Sequence, residues 1–225
     1  MDKKLVTYFN RYIEHPKDVE YFTQHPAPIM ELIHSAHFIN INSTITFFGP
    51  MLYFLARAIE AHKILEIGHA ECYTAWYLAN AVKDNGVRYQ IDNGQYYGID
   101  IVQTDLAKKR LDGLPATIIN MDSINLTAET FKDIEFDLIF QDGAHDTKHV
   151  MHELEVLYPR IKGNGQGYFI MHDVYGPSEE AFHKIIPFLN NHYNFEWCRI
   201  WSSAYGLAIL RKMDGYDSEK RYWKE

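Results

Sequence analysis

Residues 63–82 read KILEIGHAECYTAWYLANAV, and no other stretch constrains the fold as much. Ile64 and Leu65 form a short apolar run that suits a buried strand. Glu66 and Gly68 follow, and after the turn the apolar residues take helical spacing. Glycine at such a turn lets backbone come close to a ligand, and the first N–H groups of the next helix are free to receive it. The unit therefore reads as a cofactor cradle. An acid beside the glycine suits a ligand bearing hydroxyls or an ammonium better than a pyrophosphate.

The pattern after Pro50 continues as alternating helix and strand. Met51, Leu52, Leu55 and Ile59 fall at helical spacing ahead of the first strand at 63–67. A helix is expected over 72–83 and a polar connection over 84–95. Further strands are expected at YYGID ending in Asp100, at 116–120, at 136–141 delivering Asp142, and at 167–171 delivering His172 and Asp173. Helices are expected at 104–111, along the stripe Val150, Leu154, Leu157 and Ile161, and at 178–190. Two close strands, 198–202 and 206–211, end the series. This order predicts an α/β, Rossmann-like doubly wound sheet of seven strands, mostly parallel with an antiparallel last strand. Residues 1–45, broken by Pro16, Pro26 and Pro28, read as a helical cap packed on the sheet, with the sharper alternative that part of it lids the substrate pocket. Tyr8, Phe9, Tyr12, Tyr21, Phe22 and Phe38 in that segment suit stacking on an acceptor or packing of the cap. Residues 46–213 read as the cofactor-binding domain and 214–225 as a charged tail.

A formal charge of −8 with no long basic run argues against nucleic acid as partner. Two cysteines, Cys72 and Cys198, give no disulfide framework. The N-terminus lacks the apolar core of a signal peptide, and no apolar run nears the roughly 20 residues that span a bilayer. A cytoplasmic protein with no membrane partner is the expectation.

Ligands of doubly wound sheets bind beyond the carboxyl ends of the strands, and Glu66, Asp100, Asp142 and Asp173 all fall there. A carboxylate at Asp100 can accept hydrogen bonds from two vicinal ribose hydroxyls. The strongest constellation is QDGAH followed by IMHDV. Neighbouring parallel strands lie about 4.8 Å apart, so both sets reach one rim. Carboxylates with one imidazole and open water positions suit a hard divalent cation, Mg²⁺ or Mn²⁺. His149 and His152, on the face away from the apolar stripe, are expected in solvent rather than at a zinc site.

EIGHAECYTAWYLA resembles the first motif of class I S-adenosylmethionine-dependent methyltransferases, in the form found in caffeoyl-CoA and catechol O-methyltransferases. FFGPMLYFLARAIEAHKI resembles the helix leading into that motif, GLAILRK the reversed terminal strand, and the Asp-x-x-His of DGAH the macrolide-sugar and cephamycin types. The resemblance implies a metal-assisted O-methyltransferase for a small hydroxylated acceptor, sugar or phenol-like. It implies S-adenosylmethionine held by Glu66, Gly68, His69, Ala70, Thr74, Asp100, Ile101, Asp122, Ser123 and Asp142, with Asp122 and Ser123 at the adenine edge. It also implies a metal on Asp142, His172 and Asp173, with Asp142 and His145 as the catalytic pair and His145 as general base. A homodimer through the N-terminal helices is implied in the same way.

Two residues depart from the family pattern. Cys72 stands at the second glycine, so the turn is expected to run without positive φ there, or else the cofactor sits slightly differently. His172 stands at the first acid of the metal pair, which leaves room for a softer metal or for none. A metal-independent O- or N-methyltransferase and a non-catalytic binding module on the same fold therefore stay open. A dinucleotide enzyme is disfavoured, because no Gly-x-Gly-x-x-Gly follows the first strand.

Overall fold

The computed structural model describes residues 45–200 and 205–215. The expected helical cap and most of the charged tail lie outside the described residues. Helix α1 spans Ile45–Ala58 and strand β1 Lys63–Ile67. Helix α2 follows at Tyr73–Tyr89, then β2 Gln95–Asp100, α3 Asp105–Leu111 and β3 Ala116–Asn120. Beyond them come β4 Leu138–Gln141, α4 Thr147–Leu157, β5 Gly167–His172, α5 Glu179–His192, β6 Phe195–Ile200 and β7 Leu207–Lys212.

The seven strands form one sheet in the order β3-β2-β1-β4-β5-β7-β6. Strands β1 to β5 pair in parallel, and β7 runs antiparallel to both β5 and β6. The strand order reverses between β1 and β4, and a sheet of this kind opens its ligand crevice at that point. Side chains alternate along β1. Leu65 and Ile67 join Ile139, Phe169 and Met171 under Val150, Leu154 and Leu157 of α4 and Phe182, Ile185 and Leu189 of α5. Glu66 points to the opposite face, where α2 packs. Among the described residues no helix is long and apolar enough to cross a membrane.

Helix α2 runs well past the expected end at residue 83, through a polar stretch that periodicity assigns to a loop. Asn85 explains the extension. It is fully buried, donates to the Ala56 and Ala61 carbonyls and accepts from Arg57 Nη1, while Tyr53 donates to Asp84. These polar residues face the end of α1 instead of water. The helix then stops at Gln90, which takes the left-handed conformation at φ 56°.

The amino end of the sheet is fastened by Asp137. Its Oδ2 accepts from the backbone N–H groups of His62 and Lys63 at 2.8 and 2.7 Å, and its Oδ1 accepts from Lys162 Nζ. Asp137→Ala would leave those donors at the start of β1 unpaired, a loss of about 2–4 kcal/mol. Urea unfolding should show it as a lower midpoint with an unchanged slope.

Candidate active site

The carboxyl ends of β1, β2, β3 and β4 are tied together by three backbone bonds. Gly68 N–H donates to Ile99 O at 2.8 Å, Asp142 N–H to Ile67 O at 2.9 Å, and Met121 N–H to Asp100 O at 2.9 Å. Gly68 sits at φ +85°, and a Cβ there would lie 2.2 Å from the Asp142 carbonyl oxygen. The cradle loop and the loop that carries Asp142 thus touch backbone to backbone. Only glycine allows that approach.

Cys72 corrects the expectation made for it. It adopts φ +61°, the left-handed region a glycine would occupy, and forms the N-cap of α2. The cost is on the order of 1 kcal/mol. Its N–H donates to His69 O at 2.6 Å, its thiol is fully buried 3.2 Å from His69 Nδ1, and burial pushes that thiol up to about 12. The turn therefore takes the left-handed shape a glycine would give it, with an inert side chain in it.

Asp100 spans the two loops nearest the cradle. One carboxylate oxygen accepts from Ala70 N–H at 2.8 Å and the other from Val102 N–H at 2.9 Å, and each keeps a lone pair for a further donor. Ala70 is exposed at the mouth of the crevice and Ile101 is 66% exposed beside it. Arg110, on α3, donates to Glu71 O at 2.7 Å and steadies the outer side of the cradle.

Four of the expected cofactor residues, Glu66, His69, Thr74 and Ser123, turn inward. Glu66 is fully buried, and its two carboxylate oxygens accept from the hydroxyls of Thr74 and Tyr96. Burial raises its pKa to about 8, against the pull of those two hydrogen bonds. His69 is buried as well, with its Nε2 unpartnered among the described residues. These groups brace the cradle from below. Ser123 is also interior and donates to Glu153 Oε1 at 2.5 Å, which leaves Asp122 as the member of that pair nearer solvent. Burial raises Glu153 to about 7.

Asp142, His172 and Asp173 meet at the carboxyl ends of β4 and β5, with one ligand-type atom from each within 4.8 Å of the others. His172 Nδ1 lies 2.8 Å from Asp142 Oδ1 and 2.9 Å from Asp173 Oδ1. Both are ion-pair distances once the ring is protonated. Burial alone would lower the imidazole's pKa. The two carboxylates beside it outweigh burial and raise it to about 9. Asp173 itself holds φ +61° and is pinned by N–H donation to Gly206 O at 3.0 Å.

This set fits a divalent ion. Neighbouring ligands of an octahedral ion with bonds of about 2.1 Å lie about 3 Å apart, which is the spacing from Nδ1 to each carboxylate oxygen. His172 Nδ1 and Asp173 Oδ1 lie 2.9 Å apart on two buried residues, so both can face one ion. Two carboxylates and one imidazole are a donor set for Mn²⁺ and its neighbours as well as for Mg²⁺.

His145 lies beside this cluster in the loop before α4. Its Nδ1 is 3.0 Å from Ser178 Oγ and its Nε2 is 3.4 Å from Asp173 Oδ2, while its side chain is 35% exposed to the crevice. Ser178 is fully buried at the start of α5, and its N–H donates to Asp173 O at 3.1 Å. Nothing in the sequence singles it out, since it meets His145 only through the turn after β5. That turn is held from outside by Arg199, which donates to Val174 O and lies 3.7 Å over the Tyr175 ring. His149 and His152 do not face open solvent as expected. His149 sits between Asp146 and Asp122, at 2.6 and 3.5 Å, and His152 Nε2 is 2.9 Å from Leu126 O.

The sequence model of a methyltransferase domain family matches residues 65–174. No curated protein matches the chain. Among solved structures, a Klebsiella pneumoniae protein provisionally named an O-methyltransferase superposes with a TM-score of 0.63 at 17% identity, covering 83% of this chain and 88% of that one. The O-methyltransferase of Bacillus cereus, in complex with S-adenosylhomocysteine, gives 0.60 at 15% identity over 86% and 96% of the two chains. The O-methyltransferase TomG of Streptomyces achromogenes, involved in tomaymycin synthesis and bound to S-adenosylmethionine, gives 0.61 at 15% over 95% and 99%. Residues 65–174 thus match a methyltransferase domain family, and the chain shares its fold with solved O-methyltransferases bound to S-adenosylhomocysteine or S-adenosylmethionine.

Proposed function

We propose that this chain transfers the methyl group of S-adenosylmethionine to a hydroxyl of a small sugar-like or phenol-like acceptor, with a divalent metal, Mg²⁺ or Mn²⁺, at the acceptor side. The observation that carries the reading is the meeting of Asp142, His172, Asp173 and His145 on one rim, beside the cradle and Asp100. Asp100 would bind the ribose hydroxyls, and the loop from Gly68 to Cys72 would pass under the methionine portion. The donor carbon is already activated by its sulfonium, so the protein's main task is alignment for an in-line displacement.

The acceptor hydroxyl must lose a proton, and His145 is the base. Imidazole is the side chain suited to general-base work at neutral pH, and this ring is partly exposed while Ser178 Oγ fixes its Nδ1. A divalent ion on Asp142, His172 and Asp173 would lower the hydroxyl's pKa. The formal charge of −8 leaves nucleic acid a poor acceptor. A second reading, metal-independent transfer, draws on His172 itself. With its pKa raised to about 9, the protonated ring could hold the two aspartates together without an ion.

Calorimetry with S-adenosylhomocysteine tests the cofactor site. Saturable binding is expected, falling about a hundredfold in Asp100→Ala, since two charge-assisted hydrogen bonds are lost. Absence of binding in the unaltered protein would sink the reading as an activity. His145→Ala should bind S-adenosylhomocysteine normally yet lose about 10²- to 10⁴-fold in turnover across a panel of catechols and hydroxylated sugars. Turnover that survives chelation would select the metal-independent reading.

A further inference from the structure

We propose that His172 makes this centre selective for transition-metal divalent ions, Co²⁺ over Mn²⁺ and both over Mg²⁺. The inference rests on the metal-assisted reading above and concerns which ion that centre takes. Mg²⁺ prefers oxygen donors and gives up its water reluctantly, whereas imidazole nitrogen binds increasingly well from Mn²⁺ through Co²⁺. A nitrogen that could swing away would exert little selection, but this one is fixed. His172 is 4% exposed, ends β5 between β4 and β7, and has the edge contact of Phe48 at a centroid distance of 4.8 Å. Phe140 closes another side at 6.3 Å.

The nitrogen that faces the carboxylates is Nδ1, about 3 Å from both, so any ion held by Asp142 and Asp173 meets it. The carboxylates have little freedom either. Asp142 is tied through its N–H to Ile67 O, and Asp173 through its N–H to Gly206 O. An ion that accepts nitrogen gains a preformed ligand. Mg²⁺ must take the same nitrogen in place of an oxygen.

The test titrates the metal-free protein separately with MnCl₂, CoCl₂ and MgCl₂ by calorimetry, beside His172→Asp. In the unaltered protein Mn²⁺ should bind at least about tenfold more tightly than Mg²⁺, and Co²⁺ more tightly than Mn²⁺. Pulsed electron paramagnetic resonance of the Mn²⁺ complex should show coupling to an imidazole nitrogen. His172→Asp should lose that coupling and bring the Mn²⁺ and Mg²⁺ affinities together. Retained S-adenosylhomocysteine binding would show the variant is folded. If it does not fold, the affinity ratio and nitrogen coupling of the unaltered protein decide alone. Tight Mg²⁺ binding with no nitrogen coupling would overturn the role of His172 and leave the metal-assisted reading standing. Failure of the unaltered protein to bind any of the three ions would overturn both.

Discussion

Gly68→Ala is expected to abolish S-adenosylhomocysteine binding and to cost the fold about 3 kcal/mol or more. Two separate effects add. The left-handed conformation at φ +85° costs a residue with a Cβ roughly 1–2 kcal/mol. The new methyl would also fall 2.2 Å from Asp142 O and 2.5 Å from Asp142 C and Gly143 Cα. All three contacts are backbone, so no side chain can swing aside, and overpacking of this kind adds about 1–3 kcal/mol. Relief requires parting the β1 and β4 loops, which breaks Asp142 N–H to Ile67 O and moves Asp142 itself. Gly113→Ala is the control. It has a comparable φ of +72° with none of the described residues within 4 Å of its added Cβ, so it should show only the conformational cost and bind S-adenosylhomocysteine normally. Urea unfolding and calorimetry on both variants give the comparison. A Gly68→Ala protein that bound within about threefold of the parent would mean the loops are not locked as described.

The importance of Gly68 was legible because glycine between an apolar run and a helix has few other reasons to be there. The alternation of strands and helices, and the acids Asp100, Asp142 and Asp173 at strand ends, were legible for the same reason: they are local patterns with a short period. What periodicity could not supply was the direction of side chains within the cradle. Glu66 looks like a ligand-facing acid, yet β1 continues one residue beyond it, and the pleat turns its carboxylate toward α2 and the Tyr96 hydroxyl. Cys72 was expected to avoid positive φ, because intrinsic preference says so. The buried thiol and the bond from its N–H to His69 O override that preference. Asn85 extends α2 through partners on α1 that lie about thirty residues earlier in the chain. Ser178 reaches His145 from a similar separation. Contacts of that range leave no mark in a local pattern.

The inward turn of Glu66 carries the second large effect, a loss of stability as pH rises that Glu66→Gln should remove. Burial in a dry site disfavours the charged carboxylate and raises its pKa from 4.5 to about 8, although Thr74 and Tyr96 donate to it. An acid whose folded pKa lies above its unfolded one binds its proton more tightly in the folded state. Its stabilising contribution is then full below about pH 4.5 and falls as pH rises through 8. At 1.36 kcal/mol per unit, the loss is on the order of 5 kcal/mol across that window. Glu153, raised from 4.5 to about 7 beside Ser123, adds a smaller fall over a narrower range. Gln mimics the protonated acid in shape and can still accept one hydroxyl and donate to the other. Unfolding midpoints between pH 5.5 and 8.5 should therefore decline less in Glu66→Gln than in the parent, with the two proteins similar at the acid end and the variant the more stable at the alkaline end. Parallel profiles would mean the carboxylate is hydrated and ionised throughout. The same variant separates two roles for this acid. If Glu66 only braces Thr74 at the start of α2 against Tyr96 in β2, the affinity for S-adenosylhomocysteine should survive the change. If it reaches the ligand's ammonium as a charge, affinity must fall with the charge, most steeply above pH 8, where the parent carboxylate would be ionised.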